Sequence, residues 1–310
     1  MTETTKEIFE KYQVRKKRSQ KLAFEGYLDG LCDEYGYSFR VEKGMYGVRN
    51  LVVGEPDSAK VVYTAHYDTP AVLPFPNFIT PKNIFVYILF NIAILIGFLA
   101  ASSVLGLVLG IFTDLAGLSK DIAYYASLII CYALMFMMII GPANKHTAND
   151  NTSGVTLLID IMRDLPEESR DAVAFVFFDF EELGLWGSAA FHGLHIREMK
   201  NRLLINFDSV SDGDHILFVL KKKARAYRAA IETAFKARDG ITVEVSSKGA
   251  FYPSDQMMFR LGVGVGSFKS TRHGLLYMDR IHTRRDTVYR EENIELLKDG
   301  AIALPTLLGE

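Results

Sequence analysis

Two apolar patterns share this chain. Short apolar runs alternate with stretches whose apolar residues recur at helical spacing, the alternation that α/β folds require. The runs predict strands at 50–53, 60–65, 172–178, 203–207, 216–220, 242–246 and 263–268. The periodic stretches predict helices at 153–164, 188–199, 223–238, 255–261 and 293–307, the last broken by Pro305. The amino-terminal segment MTETTKEIFEKYQVRKKRSQK reads as one amphipathic helix.

The second pattern is a pair of long runs, 84–112 and 122–140, that hold no charged side chain and are separated by a polar turn at 113–121. As helices rising about 1.5 Å per residue they would reach about 44 Å and about 28 Å, against a hydrocarbon core of about 30 Å. These lengths predict a transmembrane hairpin whose first helix tilts or projects; a greasy lid or dimerisation arm is the alternative. Gly106 and Gly110 form a small-xxx-small pair that would bring the helices close. Lys82 and Lys145 flank the hairpin at one end, while the turn carries Asp114, Lys120 and Asp121, so the positive-inside bias points the globular part at the cytoplasm. The expected organisation is 1–83 as the start of a globular domain, 84–142 as an inserted hairpin and 143–310 as the remainder. Segment 70–81, containing Pro74 and Pro76, reads as a stiff connector into the first membrane helix.

Composition narrows the partners. With a net charge of −2 and no basic stripe interleaved with aromatics, the chain offers nothing to nucleic acid. Its two cysteines, Cys32 and Cys131, supply neither a disulfide framework nor a cysteine metal site and fit a reducing compartment. The amino terminus lacks the apolar core and cleavage site of a secretory signal. The cluster Arg15, Lys16, Lys17 and Arg18 would be either a contact for anionic lipid or a solvated helix face.

Candidate metal ligands stand at or near the ends of the apolar runs. In VVYTAHYDT, His66 and Asp68 are two apart, so Asp68 can accept from one imidazole nitrogen and leave the other for a metal. In NDNTSGV, Asp150 precedes a helix and suits a carboxylate lying between two cations, or a simple N-cap. In AFVFFDFEELGLWGS, Glu181 and Glu182 are adjacent carboxylates that repel one another unless cations hold them, which leaves one to bind metal and the other to act as general base on water. Asp208 follows the run RLLINF, and His282 lies in MDRIHTRRDTVY. Imidazole and carboxylate are the ligands of zinc; cobalt or manganese would fit the same donors.

In order, HxD, DNxSG, EExGxxGS, NxD, SDxxxF and HTxxDT make the chain resemble the co-catalytic di-zinc aminopeptidase family, which includes bacterial leucyl aminopeptidases, glutamate carboxypeptidase and the inactive transferrin receptor. The resemblance covers 50–70 and 143–308. It implies a zinc exopeptidase-like α/β fold, a mixed central sheet flanked by helices, into which the hairpin is inserted. It further implies an aminopeptidase, here anchored to the membrane by the hairpin, with two zinc ions: His66 and Asp208 on one, Glu182 and His282 on the other, and Asp150 bridging. Glu181 would be the general acid/base, Asp68 would orient His66, and Tyr252 would help stabilise the oxyanion. Gln256 stands where the family often has His, which bears on substrate positioning. The partners implied are a peptide substrate and membrane lipid around the hairpin, with homo-oligomerisation left open. Three rival readings follow from the same residues: a carboxypeptidase in which Arg272, Arg284 or Arg285 grips a carboxylate, a non-catalytic scaffold, and a single-zinc glutaminyl-cyclase-like transferase.

Overall fold

The computed structural model describes residues 1–309, apart from the side chain of Lys120. Helices α1 (Glu3–Lys11) and α2 (Arg18–Tyr35) lead into strands β1 (Phe39–Lys43), β2 (Arg49–Val53) and β3 (Val61–His66), followed by α3 (Ile84–Leu115) and α4 (Lys120–Ile140). Then come α5 (Gly154–Asp164), β4 (Val173–Phe178), α6 (Trp186–Leu194), β5 (Leu203–Phe207), β6 (His215–Leu220) and α7 (Arg228–Ala234). The chain closes with β7 (Thr242–Ser246), β8 (Gly262–Ser270), β9 (Leu276–Tyr277) and α8 (Glu291–Leu307).

One mixed sheet runs β1-β2-β4-β3-β5-β8-β6-β7, with β9 beside β8. Its centre, β4-β3-β5-β8, is parallel, and β2 and β6 flank it antiparallel. Because β3 and β4 lie inside, they are apolar on both faces, which is why they read as unbroken runs. Val61, Tyr63, Phe175 and Phe177 face a core shared with α2, α5 and α8, while Val62, Ala174, Val176 and Phe178 face Phe191 of α6. The three neighbouring parallel strands β4, β3 and β5 therefore end on one edge, and open α/β sheets bind ligands at such carboxyl ends.

Several expectations change. The amino-terminal segment is two helices rather than one, because residues 12–17 turn inward around Arg15, which is fully buried. Helix α8 is not broken at Pro305 but continues to Leu307. The Ala301 carbonyl, the acceptor that a residue-305 N–H would have used, takes the Tyr63 hydroxyl at 2.7 Å instead. The stretch 255–261 contributes one 3₁₀ turn, and 223–238 splits into a 3₁₀ turn and the short α7. Helix α6 stops at Leu194, where the His195 ring is held between Asp57 at 2.7 Å and Glu42 at 3.0 Å. Strand β1, whose sequence FRVEK is half-exposed at the sheet edge, has no apolar run to announce it.

Helices α3 and α4 are long and apolar enough to cross a membrane, and in their most apolar stretches 6% and 17% of residues are buried. They pack on each other through small residues: Ser102 donates to the Ser127 carbonyl at 3.3 Å, and a methyl on Gly106 would meet the Ser127 hydroxyl at 3.1 Å. A methyl on Gly110 would meet nothing within 4 Å, so only the first glycine of the expected pair serves close approach. The connector 70–81 is stitched to the globular part. Val72 donates to the Pro142 carbonyl at 2.9 Å, Leu73 to His282 at 2.7 Å and Ile79 to Met278 at 2.9 Å.

Candidate metal centre

Five ligand candidates and Glu181 converge at the carboxyl edge of the sheet. His66 closes β3, Glu181 and Glu182 follow β4, Asp208 follows β5, and Asp150 lies in the irregular turn before α5. His282 reaches in from the segment between β9 and α8. Asp150 stands between the two imidazoles, its Oδ1 3.1 Å from His66 Nε2 and its Oδ2 3.0 Å from His282 Nε2. Asp208 Oδ1 is 3.7 Å from His66 Nε2, and Glu182 Oε2 is 3.3 Å from His282 Nε2. The donor atoms form three overlapping groups, His66 with Asp150 and Asp208, His282 with Asp150 and Glu182, and His66 with Glu181 and Glu182; the first two share only Asp150.

Buried carboxylates hold the loops that carry these donors. Asp68 accepts the backbone N–H of Glu181 at 3.0 Å and of Glu182 at 3.3 Å, and lies 3.5 Å from His66 Nδ1. Asp286 accepts the N–H of Asn149 at 2.8 Å and of Asp150 at 3.0 Å. Phe180, Ser209 and His282 adopt left-handed backbone at φ 52°, 56° and 60°. For residues with a Cβ this costs on the order of 1–3 kcal/mol each, and it persists where the surroundings over-determine the conformation. Beside Phe180 that support is Asp179, which accepts the N–H of Phe180 at 2.9 Å and of Arg49 at 3.1 Å and pairs with the buried Lys21.

Electrostatics shows what the cluster needs. Burial pushes Glu181 and Glu182 well above the ordinary carboxylate range, and Asp208 and Asp150 respectively add to the shift. Burial also opposes charge on His66 and on Asp150, but hydrogen bonds win: Asp150, Asp208 and Asp68 raise His66, and His282 followed by His66 lowers Asp150. Two imidazoles and the buried Arg15 cannot offset Asp68, Asp150, Glu181, Glu182 and Asp208 together. Moreover, Glu182 Oε1 is buried with no hydrogen-bond partner. Excess buried carboxylate, an unpartnered oxygen and two groups of mixed imidazole and carboxylate donors fit two divalent cations of the zinc type.

Comparison with protein families matches residues 135–304 to peptidase family M28, more than half of the chain. The chain belongs to peptidase family M28. The matched span holds Asp150, Glu181, Glu182, Asp208 and His282 and leaves His66 and Asp68 outside it. No curated protein matches this M28 chain by sequence. Among solved structures, a leucine aminopeptidase precursor from Bacteroides thetaiotaomicron is similar with a TM-score of 0.57 and 12% identity, over 99% of this chain and 94% of that one. The Porphyromonas gingivalis glutaminyl cyclase reaches 0.55 at 14% identity, over 97% of each chain. The Legionella pneumophila LapA aminopeptidase reaches 0.54 at 14%, over 98% of this chain and 69% of that one. At such identities the likeness shows a shared fold. M28 members are typically zinc-dependent, in keeping with the donor set here.

The other residues singled out in the sequence are engaged in local bonds. The Tyr252 hydroxyl is buried and donates to the Asp208 carbonyl at 3.0 Å. Gln256 bonds the Tyr252 carbonyl at 2.6 Å and Asn206 at 3.3 Å, so it is built into the loop. Arg285 pairs with Asp279 at 3.1 Å, and Arg272 donates to His273. Sequence reasoning missed Arg15, whose Nε donates to the Tyr67 carbonyl at 2.5 Å and whose N–H donates to Thr69 Oγ1 at 2.8 Å, bracing the loop that carries Asp68. It also missed Lys21 and Asp286. Only Asp286 left a trace, inside HTxxDT.

Proposed function

We propose that this M28 chain is a membrane-anchored di-metal aminopeptidase that removes amino-terminal residues from peptides. The observation that carries the reading is Asp150, whose two oxygens face the two histidines separately, as a bridging ligand must. His66 and Asp208 would hold one ion, Glu182 and His282 the other, with zinc the default and cobalt or manganese compatible with the donors. When bound, such ions supply Lewis acidity toward the scissile carbonyl and a lowered pKa for water. Glu181, half-buried beside them, takes a proton from the attacking water and returns it to the departing amine, a role worth about 10²–10⁴ in rate. Asp68 fixes Glu181 and Glu182 through their backbones and orients His66. Tyr252 is the remaining candidate for the oxyanion, and its hydroxyl would have to leave the Asp208 carbonyl to donate there.

Residues 84–142 form the membrane hairpin in this reading, surrounded by lipid, with the globular part facing the cytoplasm. Ile140, the last residue of α4 at the end nearest the globular part, lines the same small cavity as Asp68 and Glu182, so cleavage takes place at the bilayer surface. The test is hydrolysis of aminoacyl and N-acetylated peptides by the full chain in detergent, with and without chelator. Cleavage that needs a free amine, metal and Glu181 is expected. Cleavage of N-acetylated peptides from the carboxyl end would replace this reading with a carboxypeptidase.

A further inference from the structure

Between the start of α2 and the β1–β2 turn lies a cavity of about 430 Å³ lined by Lys16, Arg18, Lys21, Lys43 and Arg49, with Asp179 as its one carboxylate. Two of the cations are spoken for: Lys21 pairs with Asp179, and Arg49 grips Glu25 through two bonds of 2.7 and 2.9 Å. Lys16, Arg18 and Lys43 have no carboxylate partner among the described residues; Lys16 reaches only the Ile139 carbonyl, at 3.2 Å. The 18-residue helix α2 begins here at Arg18 with no acidic side chain in its first turn, so the positive end of its dipole is uncompensated. The cavity does not stand alone. A smaller one of about 140 Å³ shares Lys16, Lys21 and Phe180 with it and extends to Asp68 and Glu182. A chain bound at the metal centre can therefore continue past Phe180 into a cationic recess.

We propose that this recess is a subsite for a carboxylate of the substrate, set by Lys16, Arg18, Lys43 and the amino end of α2. Resting on the peptidase reading above, it makes short peptides with a free carboxyl terminus, or an acidic residue near it, the favoured substrates. Arg18 offers a planar fork to the carboxylate oxygens, and the two lysines act as point charges. The continuity with the metal centre favours a substrate group over a lipid headgroup as the occupant.

The test titrates three peptides, Leu-Ala-Ala, its carboxamide and Leu-Asp-Ala carboxamide, into zinc-loaded full-length Glu181→Gln chain in detergent, so that binding is read without turnover. The free acid should bind about tenfold or more tighter than the amide. The Asp peptide distinguishes a side-chain carboxylate from a terminal one as the group that is bound. In the same background, Arg18→Met with Lys43→Met should bring the acid-to-amide ratio close to one, and the paired glutamate substitutions should invert it. Both side chains are exposed and unbonded, and a thermal melt verifies the fold. Equal binding of the carboxylate-bearing peptides and the amide, a ratio that survives the double variant, or no binding of any peptide overturns the subsite. Loss of phosphatidylglycerol vesicle binding in the double variant, with acid and amide bound equally, overturns it in favour of a lipid surface. Parallel hydrolysis by the native chain separates the two ideas: binding preference without cleavage overturns the peptidase reading alone, and cleavage without preference overturns the subsite alone.

Discussion

The metal centre and the hairpin break the usual rules of burial in opposite directions. At the sheet edge, carboxylates and imidazoles are buried, whereas on α3 and α4 large apolar side chains such as Leu89, Ile92 and Leu107 are exposed. Each arrangement is unfavourable in water alone, the first by desolvated charge and the second by exposed apolar surface. In the function proposed above, cations would resolve the first and lipid the second, so that each region would describe its surroundings through its chemistry. The two are also joined. Residue 73, in the stem of the hairpin, donates to the His282 carbonyl, and Lys16, one residue beyond the buried Arg15, bonds the end of α4.

The comparison can be broken from either side. Removing the acid/base should have the largest effect: Glu181→Gln should lower kcat by about 10²–10⁴ while leaving metal content intact, measured by steady-state kinetics beside elemental analysis. Next is the strap that ties α2 to the site. Lys21→Met leaves Asp179 buried without its cation, and a denaturant titration should register a loss of about 3–5 kcal/mol. On the hairpin, Ile92→Arg puts a charge on the exposed face of α3 and should weaken insertion by about 2.5–3.5 kcal/mol, read as a shift from floating to non-floating fractions on a lipid gradient. If Ile92→Arg inserts as well as the native chain, that face does not meet lipid.

The smallest effect concerns His195, whose pKa is raised above 6.5 chiefly by its hydrogen bond to Glu42, against the opposing pull of burial. A raised folded-state pKa stabilises below the unfolded value, near 6.5, and that contribution fades as pH climbs through the folded one. The melting temperature of the native chain should therefore fall from about pH 6.5 upward by more than that of His195→Gln, a difference of about 1–2 °C at most for about 1 kcal/mol. Parallel profiles would remove His195 from the account of stability.

Most of the sheet was legible because the central strands are apolar on both faces, and a run such as AFVFF needs no knowledge of its neighbours. His66, Glu182 and Asp208 stood out for the same reason, as imidazole or carboxylate side chains at or just beyond the ends of such runs, whereas Asp150 and His282 lie in polar segments and stood out only through the motifs around them. The departures are cases in which tertiary bonding overrode local pattern. Pro305 sits inside α8 because Tyr63, far away in sequence, takes the carbonyl it would have stranded. Arg15 read as part of a solvated or lipid-touching cluster, yet it is enclosed by the loop that carries Asp68, since its donors find backbone carbonyls that no local rule reveals. Strand β1 hides because an edge strand with polar alternation resembles a surface loop.

The central claim is that one carboxylate, Asp150, serves two ions, and the number of ions bound tests it most directly. Elemental analysis of the zinc-saturated full chain in detergent, beside Asp150→Ala, should find two ions per native chain and fewer than one in the variant. A native chain that saturates at one ion, or a variant that still binds two, would contradict the account.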